Sequence, residues 1–414
     1  MKTWIDHGVE QMLKRKRIRF VCSAVLATTL VLLAISLGTA KNGVTIFGTG
    51  LGADYAAFYV AGKILNECSA AQLYDLGLQN QIQHSLMPGL PAGAWLPFRG
   101  YPPLVAVCFQ PLALLRYEWS YPAWLVISAG LYVAGFTLIW RTLHATPSRE
   151  RSTALLLALS FEPFLMESWV GGQLPAVGFF FIALALFCED RRHSILAGVA
   201  LAFCLYKPTL VLLILPLLLI GRRLKTLLGF CAAAGALVTI GVLLTGPRSY
   251  LQYVDMLTTH LRDTTQRASV FADWKFVDLV SFVRLLVGHT SMLGRIVVLL
   301  LCCAVFLCLA VGWWRSKNHD GDRERLLWAA TLTGTLVVNV YVGIYDATLV
   351  VLSALLTADV LLRRVQFTSG FRLLLLLLYL VPWFSQFIAQ ATGVQLYTLV
   401  LAGFALYQLR LCAT

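Results

Sequence analysis

The feature that most constrains this chain is a succession of apolar runs of bilayer-crossing length, separated by short polar loops. A helix needs roughly 20 apolar residues to cross a hydrocarbon core of about 30 Å. Runs at 19–38, 102–116, 120–140, 153–169, 174–188, 195–220, 226–245, 291–314, 326–343, 345–362, 372–390 and 394–411 reach that length or fall just short of it. Inside lipid every backbone polar group must find its partner within the protein, which leaves helices as the way for such runs to cross. The expectation is an all-α, polytopic transmembrane bundle of about twelve helices, forming one membrane-embedded domain over residues 1–414.

Composition agrees. Of the 414 residues 59% are hydrophobic and 13% charged, about half the charged share of a soluble chain. The net charge of +13 would suggest nucleic acid in a soluble protein. Here the basic residues sit in inter-helix stretches such as "KRKRIR", "GRRLK" and Arg363–Arg364. That is the pattern that orients a chain in a membrane, so no nucleic-acid partner is expected. "KRKRIR" precedes an apolar run too long for a signal peptide, which is read as an uncleaved first helix with a cytoplasmic N-terminus. An even number of crossings returns the C-terminus to the same side, together with "RSKNHDGDRER" (315–325) and "RRVQFTSGFR" (363–372).

Twelve straight crossings conflict with the charge rule at two loops, because they put "RTLHATPSRER" and "EDRRH" outside. The conflict disappears if 102–116 is re-entrant and 195–220 breaks at Lys207–Pro208 into two short crossings. Proline removes a helix hydrogen bond, which makes that break physically reasonable. "GGQ" (171–173) and Lys207 then face outwards.

Two long segments, 39–101 and 246–290, do not span and belong on the outer side. The second carries Arg248, Arg262, Arg267, Lys275 and Arg284 against Asp255, Asp263, Asp273 and Asp278, a near balance unlike the basic loops. Its stretch "WKFVDLVSFVRLLVG" has helical apolar spacing and reads as an interfacial helix. Residues 55–67 read likewise as a short amphipathic helix on the membrane surface.

The chain contains no P-loop, no GxGxxG after a strand, no HExxH and no GxSxG. Nine of ten cysteines lie in or beside apolar runs, and Cys68 in a polar loop has no obvious partner, so neither a disulfide framework nor a zinc site is expected. The polar residues that remain lie at the ends of apolar segments. Asp54, directly before the pattern "YAAFYVAGKIL", suits a helix N-cap. It also suits a general base, and the two roles are compatible. Arg99 precedes the proline pair of "FRGYPPLVAVCFQPLALL" and reads either as a fork for phosphate or as an interfacial anchor. Gln173 opens "QLPAVGFFFIALAL". Lys207 lies inside "GVALAFCLYKPTLVLL", where an ammonium costs a few kcal/mol unless it is paired, snorkels or faces water. Tyr345–Asp346 opens the last of these segments, with a cap as its simplest role, and Glu162 and Glu167 are further buried-charge candidates.

In order, "GADYAAFYVAGKIL…AAQLYD", "YPPLVAVCFQPLALL", "GGQLPAVGFFFIALAL", "AGVALAFCLYKPTLVLLILPLLL" and "YDATLVVLSAL" resemble glycosyltransferase family 87 over roughly residues 15–360. These are membrane enzymes of the GT-C fold, related to polyprenyl-phosphate-mannose-dependent mannosyltransferases. The resemblance implies transfer of a sugar from a polyprenyl monophosphate donor to a lipid or glycan acceptor on the outer face of a bacterial inner membrane, with inversion. It implies that Asp54 is the general base, and that Tyr101 with the prolines, Gln173, Lys207, Tyr345 and Asp346 match the family's other motifs. Some relatives carry a histidine shortly before the late tyrosine–aspartate pair, where this chain has "NVYVGI".

A lipid-phosphate donor is already activated, so no nucleotide-binding domain is needed. Its phosphate calls for positive charge, and Arg99 and Lys207 supply it without a metal or other cofactor, which leaves room only for a loose Mg²⁺ or Mn²⁺ dependence. A multi-pass secondary transporter or a flippase of lipid-linked sugars is the alternative, although the two halves show no internal repeat.

Overall fold

The structure, a computed structural model, describes residues 14–52, 54–91, 93–266, 273–287, 292–316, 321–364 and 367–413. Arg267 and the side chains of Arg262 and Asp263 lie outside the described residues. The described chain is helical, and its β pairing consists of three isolated bridges. The apolar runs become helices where expected. Arg15–Thr39, Tyr117–Trp140, Leu224–Thr245, Met292–Arg315 and Ile344–Arg363 are long and apolar enough to cross a membrane. Two further runs are bent pairs, Ser148–Leu159 with Pro163–Val170 at 55° and Ser369–Leu380 with Pro382–Thr392 at 68°. Among the described residues that makes 5 spans by length and composition, or 7 with the bent pairs, short of the twelve expected. The other apolar helices are too short or too interrupted to meet that measure.

The polar loops gather at two ends of the bundle. At one end Arg325 donates to the Thr142 carbonyl at 2.5 Å and pairs with Asp190 at 2.5 Å. Arg223 pairs with Glu324, and Arg363 with Asp322, both at 2.6 Å. Asp359 Oδ1 accepts from the backbone of His144, Ala145 and Thr146. Arg15 reaches the Arg149 carbonyl at 2.7 Å. The loops 141–151, 189–193, 221–225 and 321–325 therefore share one end. This sets aside twelve straight crossings and matches the re-entrant scheme.

Two local features produce that topology. Pro103–Ala113 is only 11 residues, roughly 16 Å of helix, and both of its flanks return to the opposite end. Tyr101 before it bonds Gln173, and Tyr117 after it bonds the Leu51 carbonyl at 2.6 Å. The 194–220 run breaks at Lys207, whose φ of −138° and ψ of 88° separate a 3₁₀ turn at Phe203–Tyr206 from another at Pro208–Leu210. The chain thus goes from Asp190 at the basic end to Lys207 at the other and back to Arg223. The outgoing helix Ser194–Ala202 and the next crossing, Leu224–Thr245, touch backbone to backbone: a Cβ on Gly198 would lie 1.9 Å from the Thr226 carbonyl oxygen. Small residues at such crossings replace the hydrophobic drive that lipid removes.

Both long non-spanning segments lie at the non-basic end and pack on one another, Ser249 and Gln252 bonding the carbonyls of Ala70 and Ala71 at 3.0 Å. Residues Tyr55–Glu67 are helical, but the helix is not laid on a surface. Nine of its residues are buried, under Pro103–Ala113 and the start of Tyr117–Trp140. In the second segment a helix spans Pro247–Gln266, and the stretch that begins at Trp274 is α-helical only over Leu279–Val287. The residues before it form a 3₁₀ turn, Asp273–Lys275, and a bridge from Phe276 to Gly343. Asp278 ends that extended piece by accepting from Ser281 N at 2.8 Å. A continuous interfacial helix over this stretch is therefore corrected to a clasped strap followed by a short helix.

Candidate active site

The site is built around the junction of two segments far apart in sequence. The stretch Pro163–Val170 is a π-helix, a wide-turned form frequent at functional sites. Its i−5 bonds continue past its end, Gly171 N to Met166 O at 2.9 Å and Gln173 N to Ser168 O at 2.8 Å. This lays Gly171–Gln173 over the start of helix Tyr55–Glu67. The Asp54 amide donates to the Gly171 carbonyl at 3.0 Å. Gly172 has φ +77°, and a Cβ there would lie 2.5 Å from Tyr55 Cβ, so the fit needs glycine on both counts. The Gly172 carbonyl accepts from Trp124 Nε1 at 3.1 Å, while Tyr55 OH hydrogen-bonds Ser120 within a ring cluster with Tyr117, Tyr121 and Trp124.

Asp54 occupies the N-cap position with φ −73° and ψ −23° but makes no capping hydrogen bond. The cap reading is corrected, since the carboxylate turns instead to Gln173, whose Nε2 donates to Asp54 Oδ2 at 2.5 Å. Gln173 Oε1 in turn accepts from Tyr101 OH at 3.2 Å. The half-buried aspartate is held by an amide that a phenol orients. Burial pushes its carboxyl up to about 6, opposed by the Gln173 hydrogen bond and the Lys275 ammonium, with Glu167 adding to the rise. A carboxylate tuned towards neutrality and still partly open has the properties of a general base.

Lys207 and Asp346 form a buried ion pair, and Lys207 Nζ also lies 4.8 Å from the centre of the Tyr345 ring. Asp346 sits in the first turn of the 3₁₀ helix Ile344–Leu349, whose N-cap is Gly343, so it pairs rather than caps. Tyr101 joins the two groups. Its phenol is pushed well up by burial and by the fields of both Asp346 and Asp54. Arg99 is half-buried beside Tyr341, whose phenol burial pushes up to about 12 against the pull of that guanidinium. Seven of the residues singled out in the sequence, Asp54, Arg99, Tyr101, Gln173, Lys207, Tyr345 and Asp346, thus converge at one end of the bundle.

Glu167 accepts from Gln386 Nε2 at 2.7 Å within reach of the Asp54 field, whereas Glu162 is buried with Oε2 unpartnered among the described residues. Sequence reasoning missed Gln386 and Tyr341. Tyr341 has φ +70°, a conformation that bulky residues rarely adopt, and its ring lies tilted against Phe276 with centroids 4.4 Å apart. Lys275 was read only as one charge among several. No periodicity marks these positions, and they matter only because the strap folds back onto residues 341–343.

An all-helical membrane bundle that collects a carboxylate, an amide and a lysine–aspartate pair at one end of its helices has the form of a polytopic enzyme working at the bilayer surface. The model of glycosyltransferase family 87 matches residues 98–342, more than half of the chain, and the chain belongs to that family. It is a membrane glycosyltransferase, and the transporter alternative gives way. The matched span holds Arg99, Tyr101, Gln173 and Lys207, while Asp54, Tyr345 and Asp346 lie outside it. No curated protein and no solved structure matches the chain.

Proposed function

We propose that the protein transfers a sugar from a polyprenyl monophosphate donor to a hydroxyl of a lipid or glycan acceptor, at the outer face of the bacterial inner membrane. The acceptor oxygen attacks the anomeric carbon, the bond from that carbon to the phosphate oxygen breaks, and configuration inverts. The acceptor proton passes to Asp54, and polyprenyl phosphate leaves with the bonding electrons. Tyr101, Gln173, Lys207, Tyr345 and Asp346 surround the reacting groups, and Arg99 with the Lys207–Asp346 pair faces the phosphate. The termini and the basic loops lie on the cytoplasmic side, following the charge rule. Mannose is the favoured sugar, on the strength of the family resemblance, with other hexoses or a pentose as the comparison set.

The observation that carries this reading is the half-buried Asp54 carboxylate held by Gln173 at 2.5 Å, with a lysine–aspartate pair beside it. The reaction needs no metal in this proposal, because the phosphate charge is met by side chains. The test is transfer by purified protein in nanodiscs, supplied with radiolabelled polyprenyl-phosphate mannose and a mixed lipid acceptor fraction. Transfer with inverted configuration, lost in Asp54→Asn and insensitive to EDTA, is the expected result. Transfer from nucleotide sugars alone, or undiminished transfer by Asp54→Asn, would overturn it. Parallel assays with arabinose, galactose and glucose donors decide the sugar.

A further inference from the structure

We propose that Lys275, carried on the strap of residues 273–278, is a phosphate ligand for the lipid-linked donor. This rests on the donor class proposed above and assigns a residue that neither the sequence motifs nor the family match singles out.

The strap is fixed in place by main-chain bonds. Val277 N donates to the Val342 carbonyl at 2.9 Å, Val342 N donates to Asp278 Oδ2 at 3.0 Å, and Phe276 bridges to Gly343. At its other side the Trp274 carbonyl accepts from Gln395 Nε2 at 2.6 Å. Gly343 lies three residues before Asp346, the partner of Lys207, so the strap runs alongside the candidate site. Asp273, Phe276, Val277 and Asp278 are buried, and Lys275 alone between them is exposed. An exposed lysine on a rigid, doubly pinned strap is a positioned charge rather than a freely sweeping one.

Charge pairing among the cations next to the strap and the Asp346 turn points the same way. Lys207 is spent on Asp346, and Arg284 is paired with Asp273 at 2.8 Å, both pairs being buried. Lys275 takes part in no ion pair among the described residues. Its ammonium lies 5.3 Å from the centre of the Trp274 ring and close enough to act on the Asp54 carboxylate. A sugar phosphodiester carries one negative charge, and the departing phosphate monoester gains a second. A cation that is not already neutralised is therefore worth more as the bond breaks than in the ground state.

The test uses full-length protein in nanodiscs and a short-chain polyprenyl monophosphate without sugar as the probe. Wild type, Lys275→Met, Lys275→Arg and Asp54→Asn are compared by equilibrium binding, and the first three also by kinetics with the sugar-bearing donor. Lys275→Met is expected to keep the wild-type melting temperature, to bind the probe about tenfold more weakly (about 1.4 kcal/mol) and to lose at least that factor in kcat/KM for the donor. Lys275→Arg restores most of both, and Asp54→Asn binds the probe undiminished. Equal binding by Lys275→Met and wild type overturns the assignment while leaving the donor class intact. A wild type that transfers sugar but binds no polyprenyl monophosphate overturns both.

Discussion

Gln173 Nε2 donates to Asp54 Oδ2 at 2.5 Å across 119 residues of sequence, and Tyr101 OH fixes which end of that amide faces the carboxylate. A hydrogen bond to a charged group is worth about 1.5–3 kcal/mol, or roughly tenfold to a hundredfold in rate if it is lost in the transition state. Gln173→Leu is expected to lower transfer by that factor without preventing insertion. Because the bond favours the ionised form, its loss also moves the acid limb of the pH–rate profile upwards, which a purely structural defect would not do. Steady-state kinetics from pH 5 to 8 check both.

In the wild type that acid limb is expected near pH 6. Asp54 must be ionised to take a proton, and burial holds its carboxyl at about 6. Transfer therefore falls as pH drops through 6 and is flat above about 7 until other groups intervene. A limb near pH 4 would mean a solvated carboxylate or a different base.

The same group makes stability depend on pH in the opposite sense. Unfolded, Asp54 ionises near 3.8; folded, it does so near 6. Between those values the folded state holds the extra proton, so stability falls as pH rises through the window, and the full penalty of about 3 kcal/mol stands above it. Asp54→Asn removes the penalty. The variant should melt higher than wild type at pH 8 and about equally at pH 4, with transfer down about 10²–10⁴-fold. Thermal unfolding in nanodiscs at the two pH values gives the comparison.

Lys207 and Asp346 should not be separable. Removing one partner of a buried pair leaves an uncompensated charge and costs about 3–5 kcal/mol, whereas replacing both is often neutral. Lys207→Met and Asp346→Asn are each expected to lose folded protein, and the double variant to regain much of it while transfer stays low. The recovery of monodisperse protein after detergent extraction measures this. Two independent single losses that simply add would show that the pair is not coupled.

Gly172→Ala introduces a Cβ 2.5 Å from Tyr55 Cβ at a φ of +77°. Strain of this kind costs about 1–3 kcal/mol. The loop 171–173 should be pushed off the start of helix Tyr55–Glu67, and transfer should fall more than thermal stability does. A variant with wild-type kcat would mean that the 171–173 contact does not set the position of Asp54.

The chain itself determined that this is a helical membrane protein, because apolar runs of bilayer length leave little else. Polar residues at the ends of apolar runs, or inside one, brought out Asp54, Gln173 and Lys207, and the family resemblance added Tyr101. Tertiary structure decided what those residues touch. Asp54 precedes a helix and looks like its cap, but a π-helix more than a hundred residues later delivers an amide that captures the carboxylate instead. Helix Tyr55–Glu67 reads as a surface element from its periodicity, yet it is buried because Pro103–Ala113 is too short to cross and folds over it. Lys275 and Tyr341 carry no local signal. Their proximity comes from a strap whose backbone bonds reach residues 342–343, and non-local pairing of that kind leaves no trace in the spacing of side chains along the chain.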